Sequence, residues 1–561
     1  MENKIKEPWL KCYGDVPFHL EYGEKSMCAT VLDTAARELS FPALTFMGRA
    51  ITYSELAANI ETVAKAFYSI GVRPGNRVMI CLPNVPQAIY CLYGLNRIGA
   101  IAAMVHPLSA IGEIVYDLNE ASCDFAVTLD QFYAKFIEVR KQRPIKKLII
   151  ARVSDELPGL LPILFRLTTE RKFPKVVTDD STMKWKDFLE EGKRCVENHQ
   201  VEKDCRTEAV VLFSGGTTGV SKGIMLSDYS FNALALQTAA MSHEDIRHTK
   251  MLAAMPVFHG FGLGVCIHTM MVAGGTSILV PRFNVKSYAQ LIKKNRPNFI
   301  AGVPTLFEAI TRNAYLDGVD LSCLKGVFSG GDSLSVELKR RFDKFLKEHN
   351  AGIRVREGYG TTECVTACCL TPYDKEKEGS IGLPYPDTYF RICEVGTDRE
   401  VPYGTEGEIC LAGPSVMLGY INHEEENRNT LHKDENSVVW LHTGDLGVMD
   451  DEGFVYFKQR IKRMIVTSGY NVYPSQIENV LDSHEAVRMS CVIGVPDPYK
   501  IQKVKAFVVL KDGYEDSPEL RDAIMEHCRK YVAKYALPYV IEVRDDLPKT
   551  LVGKIAYTKL S

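Results

Sequence analysis

The chain predicts an α/β protein. A large N-terminal domain of parallel-rich sheets with helices carries a small β-rich unit, and a small α+β C-terminal domain follows. Three observations carry this. Short apolar runs that read as strands alternate with amphipathic helical periods through the first 380 or so residues. From residue 381 the texture changes to short strands separated by turns. After residue 459 a strand, helix, strand arrangement starts afresh and runs to residue 561, a usual domain size. The expected division is 1–459 and 460–561.

In order along the chain, Thr52-Tyr53-Ser54-Glu55 is a capping box. Leu56, Ile60, Val63, Phe67 and Ile70 follow at helical spacing until Gly71 stops the helix. Residues 78–82 read as a buried strand, followed by a helical run to Ile98 and an apolar stretch at 100–105. Strands are expected at 148–151, 210–213, 276–280, 299–303 and 326–329, the pattern of parallel sheets covered by helices. The β-rich unit supplies 389–395, 407–411 and 454–457. In the last domain 487–495 and 505–510 are strand-like. Ser517 caps a helix with Pro518 at its first position and Leu520, Ile524 and Cys528 on one face.

Composition excludes several classes of protein. Hydrophobic residues make up 46% and charged residues 24%, ordinary for a soluble globular chain. The net charge of −3, from 67 basic and 70 acidic residues, lacks the basic excess of a nucleic-acid binder. None of the 16 cysteines falls in a C-x-x-C pair, so spacing carries no zinc signature and a reduced, cytoplasmic setting is expected. The first residues have no apolar core and do not read as a signal peptide. The most apolar window, 251–281, is broken by Pro256, His259 and His268 and reads as buried interior, not as a membrane span. Segment 157–175 pairs an apolar patch with four basic residues. It suits a surface insertion or a homodimer contact, and, as the lesser reading, peripheral contact with a membrane surface.

The stretch around which the chemistry gathers is Val210-Val211-Leu212-Phe213-Ser214-Gly215-Gly216-Thr217-Thr218-Gly219-Val220-Ser221-Lys222-Gly223. Glycine lets backbone N–H groups close on an anion, and the threonine hydroxyls and Lys222 add donors, which suits a polyphosphate. An ordinary polar turn is the alternative. The order is not that of a Walker A loop, because Ser221 precedes Lys222 and Gly223 follows it. Glu357-Gly358-Tyr359-Gly360-Thr361-Thr362-Glu363 follows an expected strand at 353–356. A carboxylate beside hydroxyls at the end of a strand suits Mg²⁺ bridging phosphate oxygens, or a solvated turn. Asp445, in His442-Thr443-Gly444-Asp445, can accept both hydroxyls of a ribose or simply form a turn. Arg460 and Lys462 lie in a charge run that also fits a solvated face. His259 fits a core position as well as a site, and Lys549 and Lys554 share a near-terminal loop.

The order and spacing of these motifs resemble the adenylate-forming superfamily of acyl-CoA synthetases, carrier-protein adenylation domains and luciferases, nearly end to end. Bacterial long-chain fatty acid–CoA ligases are the most similar, through the glycine-rich loop, the segment 357–364 and Ser468-Gly469-Tyr470-Asn471-Val472-Tyr473-Pro474. The resemblance implies that Ser214 to Gly219 and Lys222 hold the ATP phosphates. It implies that Tyr359 stacks on adenine in a pocket lined by Gly330, Gly331, Asp332 and the 357–361 backbone. Thr362 then contacts the phosphate end and Glu363 carries Mg²⁺. Asp445 takes the ribose hydroxyls, Arg460 helps hold the nucleotide, and Lys462 occupies the hinge of a mobile C-terminal domain. Gly469 lies where the pantetheine arm of coenzyme A passes. Lys554 corresponds to the catalytic lysine of adenylation, and His259 to an aromatic gate beside the acyl carboxylate.

Three positions depart from the family pattern: Ser221 in place of proline, Gln459 in place of Asp or Gly, and Ser227-Asp228 in place of Thr/Ser-His. The activity implied is a two-step ligase that makes an acyl-adenylate from ATP and a medium- or long-chain fatty acid, then transfers the acyl group to coenzyme A. Ligation of an aromatic or alicyclic acid, loading of a separate carrier protein, and a catalytically silent binding protein are the rival readings. Retention of Glu363, Asp445 and Lys554 together argues against the last.

Overall fold

The computed structural model describes residues 6–197, 199–214, 221–467, 470–550 and 553–561. Local signals act where the sequence places them. Thr52 accepts a hydrogen bond from Glu55 N and Glu55 reaches back to Thr52 N, starting the helix Tyr53–Ser69, which ends before Gly71 at φ +96°. Leu56, Ile60, Val63 and Phe67 face inward and are fully buried, each adding roughly 1.5–3 kcal/mol. Ser517 likewise accepts from Leu520 N and begins Pro518–Tyr531, with Ile524 and Cys528 buried.

Two large sheets form the body of the molecule. In the nine-stranded sheet, Val355–Tyr359, Gly326–Ser329, Phe299–Gly302, Lys250–Ala253, Thr276–Leu279 and Pro42–Phe46 are neighbours in that order and parallel. In the eight-stranded sheet the parallel run is Thr182–Lys184, Lys147–Ala151, Phe125–Leu129, Arg77–Cys81, Ile101–Met104 and Glu208–Phe213. Gly223–Ser227 then folds back antiparallel on Glu208–Phe213, and Gly419–Tyr420 adds to its far side. Ser214 and the segments 330–332 and 360–363 therefore follow the C-terminal ends of strands, where ligands of open parallel sheets bind.

The expected β-rich unit is an antiparallel five-stranded sheet of Tyr389–Cys393, Gly407–Ala412, Val439–Met449, Leu431–Lys433 and Val455–Arg460. A second five-stranded sheet is centred on Ile501–Leu510, with Val487–Asp497 antiparallel at its edge, and is covered by the helices Pro474–Asp482 and Pro518–Tyr531. Its apolar clusters lie wholly after residue 464, and the main cluster ends at Val455. Among the described residues no apolar cluster has members on both sides of residue 460.

The strand expected at 353–356 lies later, at Val355–Tyr359. Arg356 and Glu357 hide it from a hydrophobicity reading, yet Arg356 is buried and donates to the carbonyls of Thr371, Ser242 and Met241. Segment 157–175 contains the helix Leu161–Thr168, none of whose residues is buried. No helix among the described residues is long and apolar enough to cross a membrane.

Candidate active site

The antiparallel turn from Glu208–Phe213 to Gly223–Ser227 has a clamped neck. Ser214 N donates to Lys222 O at 3.0 Å, Lys222 N to Ser214 Oγ at 2.9 Å, and Ser221 Oγ to Ser214 O at 3.0 Å. Serine in place of proline at 221 thus supplies an additional tie. Gly215, Gly216, Thr217, Thr218 and Gly219, and also Gly469, lie outside the described residues. Lys222 reaches across the Tyr420 ring at 5.0 Å and pairs with Glu426 at 3.3 Å, and Tyr420 Oη donates to Glu363 Oε1 at 2.8 Å. One tyrosine therefore bridges the lysine of the loop and the carboxylate expected to carry Mg²⁺.

Glu363 and Thr362 sit in the short turn Thr362–Cys364 that follows Tyr359-Gly360. A side chain at 360 has no room, since a Cβ there would lie 1.6 Å from Thr366 O. Tyr359 lies between Phe457 and Phe390, at 6.0 and 6.4 Å, and its hydroxyl donates to Asp445 Oδ2 at 2.7 Å. Asp445 is 2% exposed; its Oδ1 makes no hydrogen bond and faces Arg460 Nε at 3.4 Å. Burial raises the Asp445 carboxyl above its ordinary pKa, against the opposing pull of Arg460 and the Tyr359 hydroxyl. A buried carboxylate oxygen with its bonding capacity unspent, at the wall of a cavity, suits a hydroxyl-bearing ligand.

Lys554 is delivered from the other side. Gly553 O accepts from Thr305 Oγ1 at 2.9 Å, and Lys554 Cε would lie 3.5 Å from a Cβ on Gly331, whose φ is +81°. Ile555 N donates to Asp332 Oδ2 at 3.4 Å. Burial pushes the Lys554 ammonium below its ordinary pKa; Asp332 and Asp445 counter this and Arg460 adds to it. Lys549, the other lysine of this loop, is bound on the surface to Asp546 at 2.9 Å. The His259 imidazole is pushed down to about 3, by burial and then by Lys554, so it is neutral near pH 7; its Nδ1 accepts from Phe261 N at 3.2 Å. Burial also raises Glu357 to about 7.

These groups line one cavity of about 1110 Å³. It brings together Ser214, Ser221, His259, Gly330–Asp332, Glu357–Glu363, Asp445, Arg460 and Lys554. Neither Lys222, which follows the lining residue Ser221, nor Lys462 is among its lining residues. Phe258, His259, Phe261 and Val265, and Pro304, Thr305 and Glu308 from a second segment, form part of its wall. Thr238, Val265 and Phe328 line both this cavity and a separate void of about 10 Å³ behind them, bounded also by Met251, Met270 and Phe299.

Two lining residues escaped the sequence reading. Gln459 is 1% exposed with neither amide atom hydrogen-bonded, and Ser329 Oγ is likewise unpaired. Gln459 stood out only as a departure from a motif, and nothing marked Ser329. By contrast Ser227-Asp228 lies off the cavity wall. Ser227 caps the helix Asp228–Ser242, while Asp228 is buried, accepting from Met27 N and Asn96 Nδ2 at 2.8 and 2.6 Å and pairing with Lys203 at 3.1 Å.

A cavity at the C-terminal ends of parallel strands, walled by a buried carboxylate with an unpaired oxygen and by a buried lysine from a late loop, is the kind of site that a nucleotide-dependent activating enzyme needs. The model of the AMP-binding enzyme family matches residues 32–421, and that of the AMP-binding enzyme C-terminal domain matches 476–554. The chain belongs to this family, the adenylate-forming superfamily its motifs resemble.

It is 34% identical to a long-chain-fatty-acid–CoA ligase of Bacillus subtilis (strain 168), over 99% of this chain and 98% of the relative. A 4-coumarate–CoA ligase-like protein of Oryza sativa subsp. japonica is 30% identical, over 91% and 87% of the two chains. Among solved structures, the anthranilate CoA ligase AuaEII in complex with anthranoyl-AMP superposes with a TM-score of 0.83 at 22% identity, covering 98% of each chain, which bears on the fold.

Proposed function

We propose that the chain is an AMP-forming acid–CoA ligase acting on medium- or long-chain fatty acids. The observation that carries this is the single cavity in which the proposed nucleotide residues meet a wall of Phe258, Phe261, Val265 and Phe328. Full-length similarity to long-chain-fatty-acid–CoA ligases supports the choice of acid.

In the first step a carboxylate oxygen attacks the α-phosphorus of ATP. The new P–O bond forms as the bond to the β-phosphate oxygen breaks, and pyrophosphate leaves. Both reactants are anionic, so the residues must supply positive charge and oriented donors. Lys554 faces the reacting oxygens, and Asp332 and Asp445 help keep it charged. Asp445 Oδ1 accepts the ribose hydroxyls, Tyr359 stacks on the base, Arg460 steadies the nucleotide, and Thr362 with the 214–222 loop receives the phosphates. Neutral His259 borders the acyl carboxylate without competing for its charge. The residues present fit Mg²⁺, since among the described residues only Oε1 of the Glu363 carboxylate is hydrogen-bonded, by Tyr420; when bound, the ion would neutralise phosphate charge.

In the second step the thiol of coenzyme A attacks the acyl carbonyl and AMP leaves. The thiol and Lys554 cannot share the reaction centre. The C-terminal domain, 460–561, is proposed to turn about Lys462 and exchange them, with Gly469 beside the pantetheine arm. The separate apolar clusters on either side of residue 460 support this division.

Pyrophosphate release over straight-chain acids, with benzoate and 4-coumarate alongside and with or without coenzyme A, tests the reading. Release that rises with chain length, with thioester formed only when coenzyme A is present, is expected. Preference for either aromatic acid would replace the fatty acid as substrate, and no release with any acid would leave a binding protein.

The helix Leu161–Thr168 is further proposed to rest on an anionic membrane surface. Leu160, Ile163, Leu164 and Leu167 are between 56 and 79% exposed, and Arg171, Lys172 and Lys175 are exposed beside them. Co-sedimentation with vesicles containing phosphatidylserine should be lost in Leu164→Glu. Concentration-dependent dimerisation without vesicle binding would assign the patch to a second copy of the chain.

A further inference from the structure

One cluster of metal-ligating side chains lies apart from the cavity, in the antiparallel sheet. His432, on Leu431–Lys433, is in register opposite Trp440, so strand alternation sets His432 and His442 on the same face. Asp398, from the turn between Tyr389–Cys393 and Gly407–Ala412, meets both. Its Oδ1 lies 2.8 Å from His432 Nδ1 and 3.0 Å from His442 Nε2, and the two rings are 4.0 Å apart. Distant sequence positions thus converge, which explains why cysteine spacing carried no such signal.

The geometry is close to that of an ion site. Ligand atoms held at about 2.0–2.1 Å in a tetrahedron are roughly 3.3 Å apart, so a shift of a few tenths of an ångström would admit an ion between the three. The outer arrangement is also present. His442 Nδ1 donates to Glu408 Oε2 at 3.0 Å, which fixes the ring and leaves Nε2 as the ligand atom. Glu408 is 6% exposed and accepts from Gly444 N through its other oxygen at 2.9 Å. One cation, Arg391, stands beside the cluster, 3.5 Å from Asp398 and held over the Trp440 ring. Asp398 is largely exposed, so an ion has a path in and water can complete its shell.

We propose that Asp398, His432 and His442 bind a divalent transition-metal ion of the zinc class, with Glu408 as the outer partner of His442. Two imidazole nitrogens select this class over Mg²⁺ or Ca²⁺. The ion would tie the turn at 398 and Leu431–Lys433 to Val439–Met449, the strand that presents Asp445 to the cavity.

The test uses the full chain, stripped with a chelator and titrated with Zn²⁺ by calorimetry and with Co²⁺ by visible absorption. One equivalent is expected, with a ligand-field band characteristic of nitrogen and oxygen donors. His432→Ala and Asp398→Asn should each weaken that equivalent roughly tenfold or more, and Glu408→Gln about 10–100-fold. His432→Gln provides a second variant if alanine unfolds the turn, and pyrophosphate release with Mg²⁺ and ATP checks that the variants are folded. No stoichiometric uptake, or uptake unchanged in all variants, would overturn the proposal; the unchanged case would put the ion at other groups.

Discussion

Lys554→Ala is the sharpest test of how the cavity works. The side chain is held by its own loop through Gly553 O and Thr305, with its stem over Gly331 and its nitrogen near Asp332 and Asp445. Among the described residues no ion pair closes on it, so truncation should leave the fold intact. It would remove one positioned, charged donor from a water-poor site, a loss of roughly 2.7–4 kcal/mol, or about 10²–10³ in rate. Stopped-flow pyrophosphate release should fall by that factor, while conversion of a supplied acyl-adenylate to the thioester continues. Burial holds this lysine below its ordinary pKa of 10.5. The donor exists only when protonated, so wild-type adenylation should decline as pH rises through a value below 10.5. Lys554→Arg should remove that decline. Equal loss in both half-reactions, or an alkaline limb unchanged in Lys554→Arg, would refute the reasoning.

Asp445→Ala should weaken ATP binding on the order of 1.5–3 kcal/mol, the worth of a hydrogen bond to a charged group, measured by calorimetry against unchanged acid binding. Lys462→Pro, which fixes φ, should change adenylation and thioester formation unequally in single-turnover assays; two unchanged rates would remove Lys462 as the pivot. Phe328→Leu should open the cavity toward the void beyond Val265 and shift the optimum of kcat/KM to longer acids. Each added carbon is worth about 0.8 kcal/mol, or roughly fourfold, until the channel fills. An unchanged chain-length profile would mean that the acyl chain does not run past Phe328.

Much of the site was legible because the motifs are local. Ser214, Tyr359, Glu363 and Asp445 each belong to a short segment that ends or continues a strand, and strands with apolar runs announce themselves. Legibility failed where structure depends on partners distant in sequence. Val355–Tyr359 was misplaced because the carbonyls that satisfy Arg356 come from residues 241, 242 and 371. Asp228 read as a departure near the nucleotide, yet it anchors the chain at Met27 and Asn96. Gln459 shows no pattern by itself, and only its burial without partners marks it. Strand order in the sheets likewise depends on crossovers that no local period encodes.

The seam between the residues before and after 460 is joined mainly by polar contacts. Among the described residues they include Thr305 to Gly553, Asp332 to Ile555, Arg312 to Asp512, Glu406 to Tyr473 and Lys458 O to Ser475 Oγ. Water can take over each of these partners, so each contributes only about 0.5–1.5 kcal/mol net, less for the exposed ion pair. Among the described residues, parting this seam breaks no shared apolar cluster. Under the proposed turn of the C-terminal domain, two arrangements of the same chain would lie within a few kcal/mol of each other, with the molecule occupying the cavity setting which one prevails.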